Sequence, residues 1–240
     1  MSMLLALAIY MMIYDTSRPK WQRVVPTILI TVAVAASVSR SAVIAVVIAC
    51  GGLIISFPPT RRLKGLATIP IALGLIALAA PGLIGTLVNF FVAAPTDPSI
   101  THRTNNYPYV LQLVKEAPWL GQGGGTYVPA FSANVLDNEY LSIVIELGVL
   151  GLAALIFYLL WPVICAFVAR NRTTNPELRD LCAALGAAEL AAVATSATFD
   201  SFSFPMFYDL QALIVGLIGA VWLIVKKETD GLPRKIEGSR

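Results

Sequence analysis

The sequence predicts an all-α membrane protein with about seven transmembrane helices, and three observations support this prediction. The 240 residues are 57% hydrophobic, with a mean hydropathy of +0.76. Only 13% are charged, about half the share of roughly 25% that is typical of a soluble domain. The apolar residues also form runs that can cross a bilayer as helices, which satisfy their own backbone hydrogen bonds in lipid. A soluble globule, a disordered chain and a nucleic-acid-binding protein are therefore disfavoured.

Seven apolar segments are candidates for these helices. In chain order they are residues 1–14, 24–39, 41–57, 66–92, 139–168, 181–199 and 210–225. The first segment lacks the basic start and the cleavage site of a signal peptide, so we interpret it as a helix. The second and third are separated only by Ser39, Arg40 and Ser41, which predicts a tight helical hairpin. The sixth is rich in small residues, which favours close helix packing.

The positions of lysine and arginine predict the topology, because basic residues mark the cytoplasmic side. If the seven segments alternate, 14 of the 17 basic residues lie on one side. Three lie between segments one and two, three between three and four, three between five and six, and five in the tail. The remaining three are Arg40, Arg103 and Lys115. This pattern predicts an N-terminus outside the cell and a C-terminus in the cytoplasm.

The chain reads as a single polytopic membrane domain, residues 1–240, with an outer loop at about 93–138 and a cytoplasmic tail at about 226–240. Within the loop, residues 104–117 predict a short amphipathic helix with Pro108 in its first turn. A flexible turn is predicted by the glycines that follow it, Gly121, Gly123, Gly124 and Gly125. Aromatic side chains in the loop favour a position on the membrane surface.

Two outer arginines are the first candidates for chemistry. Arg40 lies between two apolar runs, where it either snorkels to the outer headgroups or pairs with a phosphate or pyrophosphate. Arg103 precedes the helical stretch of the loop and is either a solvated charge or part of an anion site at a helix N-terminus. His102, the only histidine, is either an exposed loop residue or a proton shuttle.

A second group of candidates stands where the loop re-enters the membrane. Asp137 or Asn138 is a candidate N-cap of the fifth segment, and a carboxylate here also suits a general base for a sugar hydroxyl. Glu146 lies about two turns deeper, on the same helix face as Glu139. Glu189 lies in the middle of segment six. Carboxylates within membrane segments indicate function by default, although a structural hydrogen bond explains Glu189 equally well.

Other sites are not predicted. The sequence has no Walker motif, dinucleotide fingerprint or His/Cys cluster, so neither a metal nor a soluble cofactor is expected. The three cysteines lie within apolar runs and are interpreted as packing residues.

Three motifs, taken in order, resemble the O-antigen ligase and polymerase superfamily of bacterial envelope glycan enzymes. The first is Ser39-Arg40-Ser41 between two apolar helices. The second is Arg103, an amphipathic stretch, and Pro-Trp-Leu-Gly-Gln-Gly-Gly-Gly-Thr-Tyr at 118–127. The third is Asp-Asn-Glu-Tyr-Leu at 137–141, followed by Glu-Leu-Gly at 146–148 and by Gly151. Together they cover about residues 30–165.

The resemblance implies a metal-independent glycosyltransferase of the bacterial plasma (inner) membrane, which serves cell-envelope polysaccharide synthesis. Its donor would be a glycan on a polyprenyl pyrophosphate such as undecaprenyl pyrophosphate, and its acceptor a hydroxyl of a sugar or glycolipid. Arg40 and Arg103 would hold the pyrophosphate, and Asp137 would activate the acceptor. Asn138 and Tyr140 would position the acceptor, and His102 and Glu146 are further candidates for substrate binding.

Two departures from the family pattern refine this expectation. Family ligases have histidine where this chain has Asp137, which favours a polysaccharide polymerase. Family members usually have ten or more spans, and this chain resembles their C-terminal half, so we expect a fragment, a mis-started gene or a small divergent member. Two alternatives stay open: a transporter or flippase fragment that uses Glu146 and Glu189, and a non-catalytic membrane scaffold.

Overall fold

The computed structural model describes residues 2–37, 39–59, 62–63, 85, 92, 106–128 and 136–231. This part of the chain is all-helical, as predicted. Its helices are α1 (Ser2–Tyr14), α2 (Lys20–Ala36), α3 (Arg40–Ser56), α4 (Tyr107–Glu116), α5 (Glu139–Arg172), α6 (Pro176–Ser196) and α7 (Pro205–Gly231). The predicted segment at 66–92 falls almost entirely outside the described residues.

Capping residues explain where the helix boundaries differ from the prediction. α6 begins five residues before the predicted start at 181, because the Asn175 side chain accepts a hydrogen bond from the Glu177 N–H and Pro176 occupies the first turn. α7 likewise begins at a proline, Pro205, rather than at 210. The amphipathic helix of the loop is confirmed as α4, with Pro108 in its first turn.

Two helices, α5 and α7, are long and apolar enough to cross a membrane. α5 spans 34 residues with a break at Gly148, and residues 149–172 after the break extend about 36 Å at the rise of an α-helix, which still exceeds a hydrocarbon core of about 30 Å. Both helices leave large apolar side chains exposed, among them Phe157, Trp161, Leu213 and Leu223. α1 and most of α3 are apolar but shorter. The described part thus supports a membrane protein.

Helix α6 forms the centre of the bundle and packs against α1, α3, α5 and α7. Its buried face consists mostly of alanine, and Ala184, Ala187 and Ala191 have no exposed surface. A Cβ added at Gly52 of α3 would lie 3.2 Å from the Ala187 Cβ, so the two helices are almost in backbone contact. The close packing that small residues predict for segment six is therefore confirmed.

The bundle has two chemically different ends. The first, here the basic end, contains Arg62, Arg170 and Arg179 around the C-termini of α3 and α5 and the N-terminus of α6. α1 also ends there, because the Tyr14 hydroxyl donates to the Asp180 carboxylate at 2.6 Å. α7 ends there as well, since the Thr173 hydroxyl donates to the Glu228 carboxylate at 2.7 Å.

The opposite end is the motif end, which contains Ser39, Asn138 and Ala197. The Ser39 turn and the last turn of α6 line one cavity, and Asn138 bonds to Ala197. Connections that carry the predicted cytoplasmic charges thus lie at one end, and the family-like motifs lie at the other.

Candidate active site

Asn138 begins α5 and joins it to α6. Its side-chain oxygen accepts hydrogen bonds from the N–H groups of Tyr140 at 3.0 Å and Leu141 at 3.3 Å. Its amide nitrogen donates to the carbonyl oxygen of Ala197 at 3.1 Å. Asn138 is therefore the N-cap of α5. Of the two N-cap candidates predicted from the sequence, Asn138 is the cap, and Asp137 is the residue before it.

Two further side chains fasten the start of α5 to its neighbours. The Tyr140 hydroxyl donates to the carbonyl oxygen of Val193 in α6 at 2.8 Å. Glu139 is only 3% exposed, and its carboxylate accepts a hydrogen bond from the Phe202 N–H at 2.9 Å. These bonds fix the first turn of α5 against α6 and the connection between α6 and α7.

Glu139 also lies near the carboxyl group of Asp200, close enough for the two side chains to interact. The Ser203 hydroxyl donates to Asp200. The connection after α6 thus supplies a carboxyl neighbour that the motif at 137–141 does not contain.

Asp137 is exposed and lines a small cavity of about 50 Å³. Asn138, Leu141 and Ala197 line it from α5 and α6, and Asn106 and Tyr107 line it from the start of α4. A cavity of this size has room for a water molecule. The structure therefore brings Asp137 next to the N-terminus of the loop helix.

Helix α5 is interrupted at Gly148, where φ is 67° and ψ is −165°. In a continuous helix, the N–H groups of Val149 and Leu150 would donate four residues back along the chain. Here Val149 donates to the carbonyl oxygen of Pro118 at 2.9 Å, and Leu150 donates to that of Trp119 at 3.3 Å. The glycine-rich loop thus replaces part of the helix's own hydrogen bonding.

The same loop also supplies donors to the carbonyl groups that the break leaves open. The Ile145 carbonyl oxygen accepts from the Gln122 N–H at 2.9 Å, and the Glu146 carbonyl oxygen accepts from the Gly123 N–H at 2.8 Å. Residues 118–123 are therefore inserted into the hydrogen-bond ladder of α5 by four backbone bonds.

The glycines are needed for this insertion. A Cβ at Gly121 would lie 2.4 Å from the carbonyl group of Glu146, and a Cβ at Gly148 would lie 2.4 Å from that of Trp119. Both glycines also have a φ of 67°, which only glycine adopts readily. The Glu146 carboxylate then accepts a hydrogen bond from the Gly125 N–H at 2.9 Å. What the sequence predicts as a flexible turn is a docked loop.

Apolar packing holds α4 over this junction. Val110 of α4, Leu136 and Ile145 form a buried cluster, with Tyr127 partly buried beside them. Burial, reinforced by nearby Tyr109, raises the pKa of Tyr127, so its hydroxyl stays protonated at neutral pH. The described part of the outer loop is therefore folded against α5.

The Ser39–Ser41 turn borders a larger, mostly apolar cavity of about 410 Å³. Ser39 caps α3 by accepting a hydrogen bond from the Ala42 N–H at 3.4 Å. Other lining residues come from α2, from the end of α6 and from α7, and include Ala33, Val34, Thr195, Phe199 and Phe207. The backbone position of Arg40 is therefore at the mouth of a cavity at the motif end.

Three of the predicted site residues are not fully described by the structure. It describes the backbone of Arg40 but not its side chain, and His102 and Arg103 fall outside the described residues. Arg103 precedes Asn106 by three residues in the sequence, and Asn106 lines the same small cavity as Asp137.

The two carboxylates of the transporter alternative have separate surroundings. Glu189 is fully buried and accepts a hydrogen bond from the Gln211 amide at 2.6 Å, whereas Glu146 bonds to the loop at Gly125. Neither residue lines any of the four cavities found in the described ranges.

A model of a protein family described as O-antigen ligase matches residues 25–156, more than half of the chain. The chain belongs to the O-antigen ligase family. The match includes the Ser39–Ser41 turn, the loop inserted into α5 and the start of α5. Membership assigns the chain to a family of membrane-bound ligases and polymerases of lipid-linked glycans. The search of curated proteins gave no match.

Two features of the site cannot be predicted from the sequence: the position of Asp200 near Glu139, and the break in α5 at Gly148. Asp200 lies in a short connecting segment rich in serine and phenylalanine, and no spacing in the sequence connects it with Glu139. The break at Gly148 lies in an apolar run that reads as one helix. Its only local signal is the glycine itself, since an interior glycine weakens a helix.

Proposed function

We propose that this protein transfers a glycan from a polyprenyl-pyrophosphate carrier to a sugar hydroxyl, without a metal, at the motif end. The observation that supports this proposal best is the meeting of family motifs around the last turn of α6. Ser39 shares a cavity with Thr195, and Asn138 bonds to Ala197. The sequence positions of Arg40 and Asp137, next to these two residues, therefore adjoin the same end of one helix.

The proposed setting is the bacterial plasma membrane, crossed about seven times, with the motif end outside. In support, the described lysines and arginines of four connecting segments gather at the opposite end, as expected for a cytoplasmic face. The apolar cavity of about 410 Å³ beside Ser39 suits the isoprenoid part of a carrier lipid, because it offers apolar walls at the base of the Arg40 turn.

In the proposed reaction, Arg40 and Arg103 bind the pyrophosphate. A guanidinium group can donate two parallel hydrogen bonds to phosphate oxygens, which fixes the orientation of the group as well as its charge. As the bond between the anomeric carbon and the pyrophosphate oxygen breaks, its electron pair stays on the pyrophosphate. The two arginines stabilise this developing negative charge.

Asp137 is proposed to act on the acceptor. Its carboxylate takes the proton of the attacking sugar hydroxyl while the hydroxyl oxygen forms the new bond to the anomeric carbon. The exposed position of Asp137 beside the cap of α5 leaves it accessible from outside the bundle.

The other predicted substrate-binding residues are given narrower roles. Asn138 and Tyr140 bond to the backbone of α6, so we propose that they position Asp137. Glu146 holds the inserted loop through Gly125 and would keep α4 in place. His102, adjacent to Arg103 in the sequence, is proposed to contact the glycan. An aspartate at position 137 favours a polymerase over a ligase.

Asp137→Asn provides the test of this function. Loss of the base is expected to lower glycan transfer about a hundredfold or more, since general base catalysis contributes roughly 10²–10⁴-fold. The variant is produced in cells that lack the chromosomal copy, and envelope polysaccharide is quantified on gels at matched protein levels.

Glu116→Gln is the matched control, because Glu116 is an exposed acid at the end of α4 in the same loop. It should retain normal transfer. Normal polysaccharide from Asp137→Asn would contradict the proposed role of Asp137, and an equal loss from both variants would indicate a general charge effect.

A further inference from the structure

A second cavity, of about 440 Å³, lies at the basic end, opposite the candidate active site. Its size is within the usual range of small-molecule sites, roughly 300–1,000 Å³. Three arginines and one aspartate are its charged lining residues, which leaves a net positive charge. They are Arg62, Arg170, Arg179 and Asp180.

Two of these arginines are held in place by the C-terminus of α3. Arg170 of α5 donates to the carbonyl oxygen of Ser56 through Nη2. Arg62 donates through Nη2 to the carbonyl oxygens of Ile55 at 2.7 Å and Phe57 at 3.4 Å. A guanidinium group has five N–H donors, so both groups are anchored and still have donors for a ligand.

The guanidinium groups that line the cavity outnumber its one described carboxylate by three to one. Asp180 is only 5% exposed and accepts a hydrogen bond from the Tyr14 hydroxyl. Arg170 and Arg179 are near enough for their charges to repel, and the Asp180 carboxylate attracts Arg170. An anion between them would remove this repulsion.

We propose that this basic cavity binds a phosphate group, and that the anchored guanidinium groups of Arg62 and Arg170, together with Arg179, are its ligands. A phosphate offers several oxygens in different directions, so guanidinium groups from three chain segments can bind it at once. The cavity lies where the membrane-spanning helix α5 ends, at Arg172. Phosphate groups of lipids lie at this level, and basic sites between helices bind anionic headgroups.

The bound group would connect the end of α3, the end of α5 and the start of α6. It would therefore stabilise the basic end of the bundle, at a distance from the reaction proposed for the motif end. This inference does not depend on the proposed function, because its readout is binding alone.

The test compares lipid binding by purified variants in a neutral detergent, followed by native mass spectrometry. Phosphatidylglycerol, phosphatidylcholine and inorganic phosphate are titrated separately, and inorganic phosphate is also added as a competitor of phosphatidylglycerol. The variants are Arg62→Gln, Arg179→Gln and the control Arg172→Gln. Arg172 lies at the same end but stacks over Trp222, 5.0 Å from the ring centroid, and does not line the cavity.

We expect phosphatidylglycerol to bind the wild type and Arg172→Gln equally, and to bind Arg62→Gln and Arg179→Gln at least about tenfold more weakly. This loss corresponds to one hydrogen bond with a charged partner. The side chain of Arg179 is exposed and donates no hydrogen bond to a described residue, so its replacement leaves the fold intact. If inorganic phosphate competes with the same dependence on Arg179, the site takes the free anion; if only the lipid binds, it takes the headgroup.

Equal binding by Arg179→Gln and the wild type would overturn the proposal. Equal weakening in all three variants would overturn it too, because it would reflect overall charge alone. So would a wild type that binds neither phosphatidylglycerol nor inorganic phosphate.

Discussion

The two ends of the helix bundle use their polar side chains in opposite ways. At the motif end, Asn138, Tyr140 and Glu146 bond to backbone groups of another chain segment. At the basic end, Arg62 and Arg170 are anchored by carbonyl oxygens but surround a cavity with donors to spare. The motif residues of this family member therefore build the architecture of the site. The residues proposed to contact the substrate, Arg40 and Asp137, are sequence neighbours of such structural residues, Ser39 and Asn138.

Replacement of Gly148 by alanine should have the largest effect on this architecture. Its backbone conformation is one that L-residues avoid, and a Cβ would lie 2.4 Å from the Trp119 carbonyl group. Backbone strain of this kind costs about 1–3 kcal/mol, and the clash adds to it. We expect Gly148→Ala to lower the free energy of unfolding by about 3 kcal/mol and to expose residues 118–126 to protease.

Gly216→Ala in α7 is the matched control. A Cβ at Gly216 meets no atom within 4 Å, and alanine is the better helix former, so this variant should be unchanged or slightly stabilised. If Gly148→Ala unfolds at the same temperature and resists protease equally, the inserted loop does not organise the motif end.

A smaller effect distinguishes the helix caps at the two ends. Asn138 caps α5 and also bonds to Ala197, whereas Asn175 caps α6 at the basic end through Glu177. Losing a cap costs about 1 kcal/mol, and losing the bond to Ala197 adds about 1 kcal/mol. Asn138→Ala should therefore destabilise the protein about twice as much as Asn175→Ala, measured by thermal unfolding in detergent. Equal effects would mean that Asn138 is a cap and nothing more.

Much of the helical architecture is predictable from the sequence, because long apolar runs with few charges have few other solutions in a bilayer. α3 and α5 begin within one residue of their predicted starts, and the amphipathic helix of the loop appears as α4. The start of α6 is not predicted, because hydropathy omits its polar first turn, where Pro176 and Asp180 lie. Small residues predict the close packing of α6, but not its central position.

Less of the candidate site is predictable, because its contacts join segments that are far apart in the chain. The glycines at 121–125 predict a flexible backbone turn. Only the structure shows that this loop packs against the backbone of α5. From the sequence, Asp137 and Asn138 are equally good candidates for the N-cap of α5. The hydrogen bonds in the structure identify Asn138 as the cap. Glu139 lies near Asp200, 61 positions further along the chain, and no local pattern in the sequence predicts this proximity.

The most direct test of the account concerns the two guanidinium groups proposed to bind the pyrophosphate. Arg40→Lys and Arg103→Lys keep the positive charge but lose the paired donors. Arg18→Lys makes the same change at the basic end, where Arg18 pairs with Asp15 at 3.1 Å. Glycan transfer is measured for all three at matched protein levels. We expect a loss of roughly 10–100-fold for Arg40→Lys and Arg103→Lys, with normal transfer for Arg18→Lys. Normal transfer by both motif-end variants would contradict this expectation.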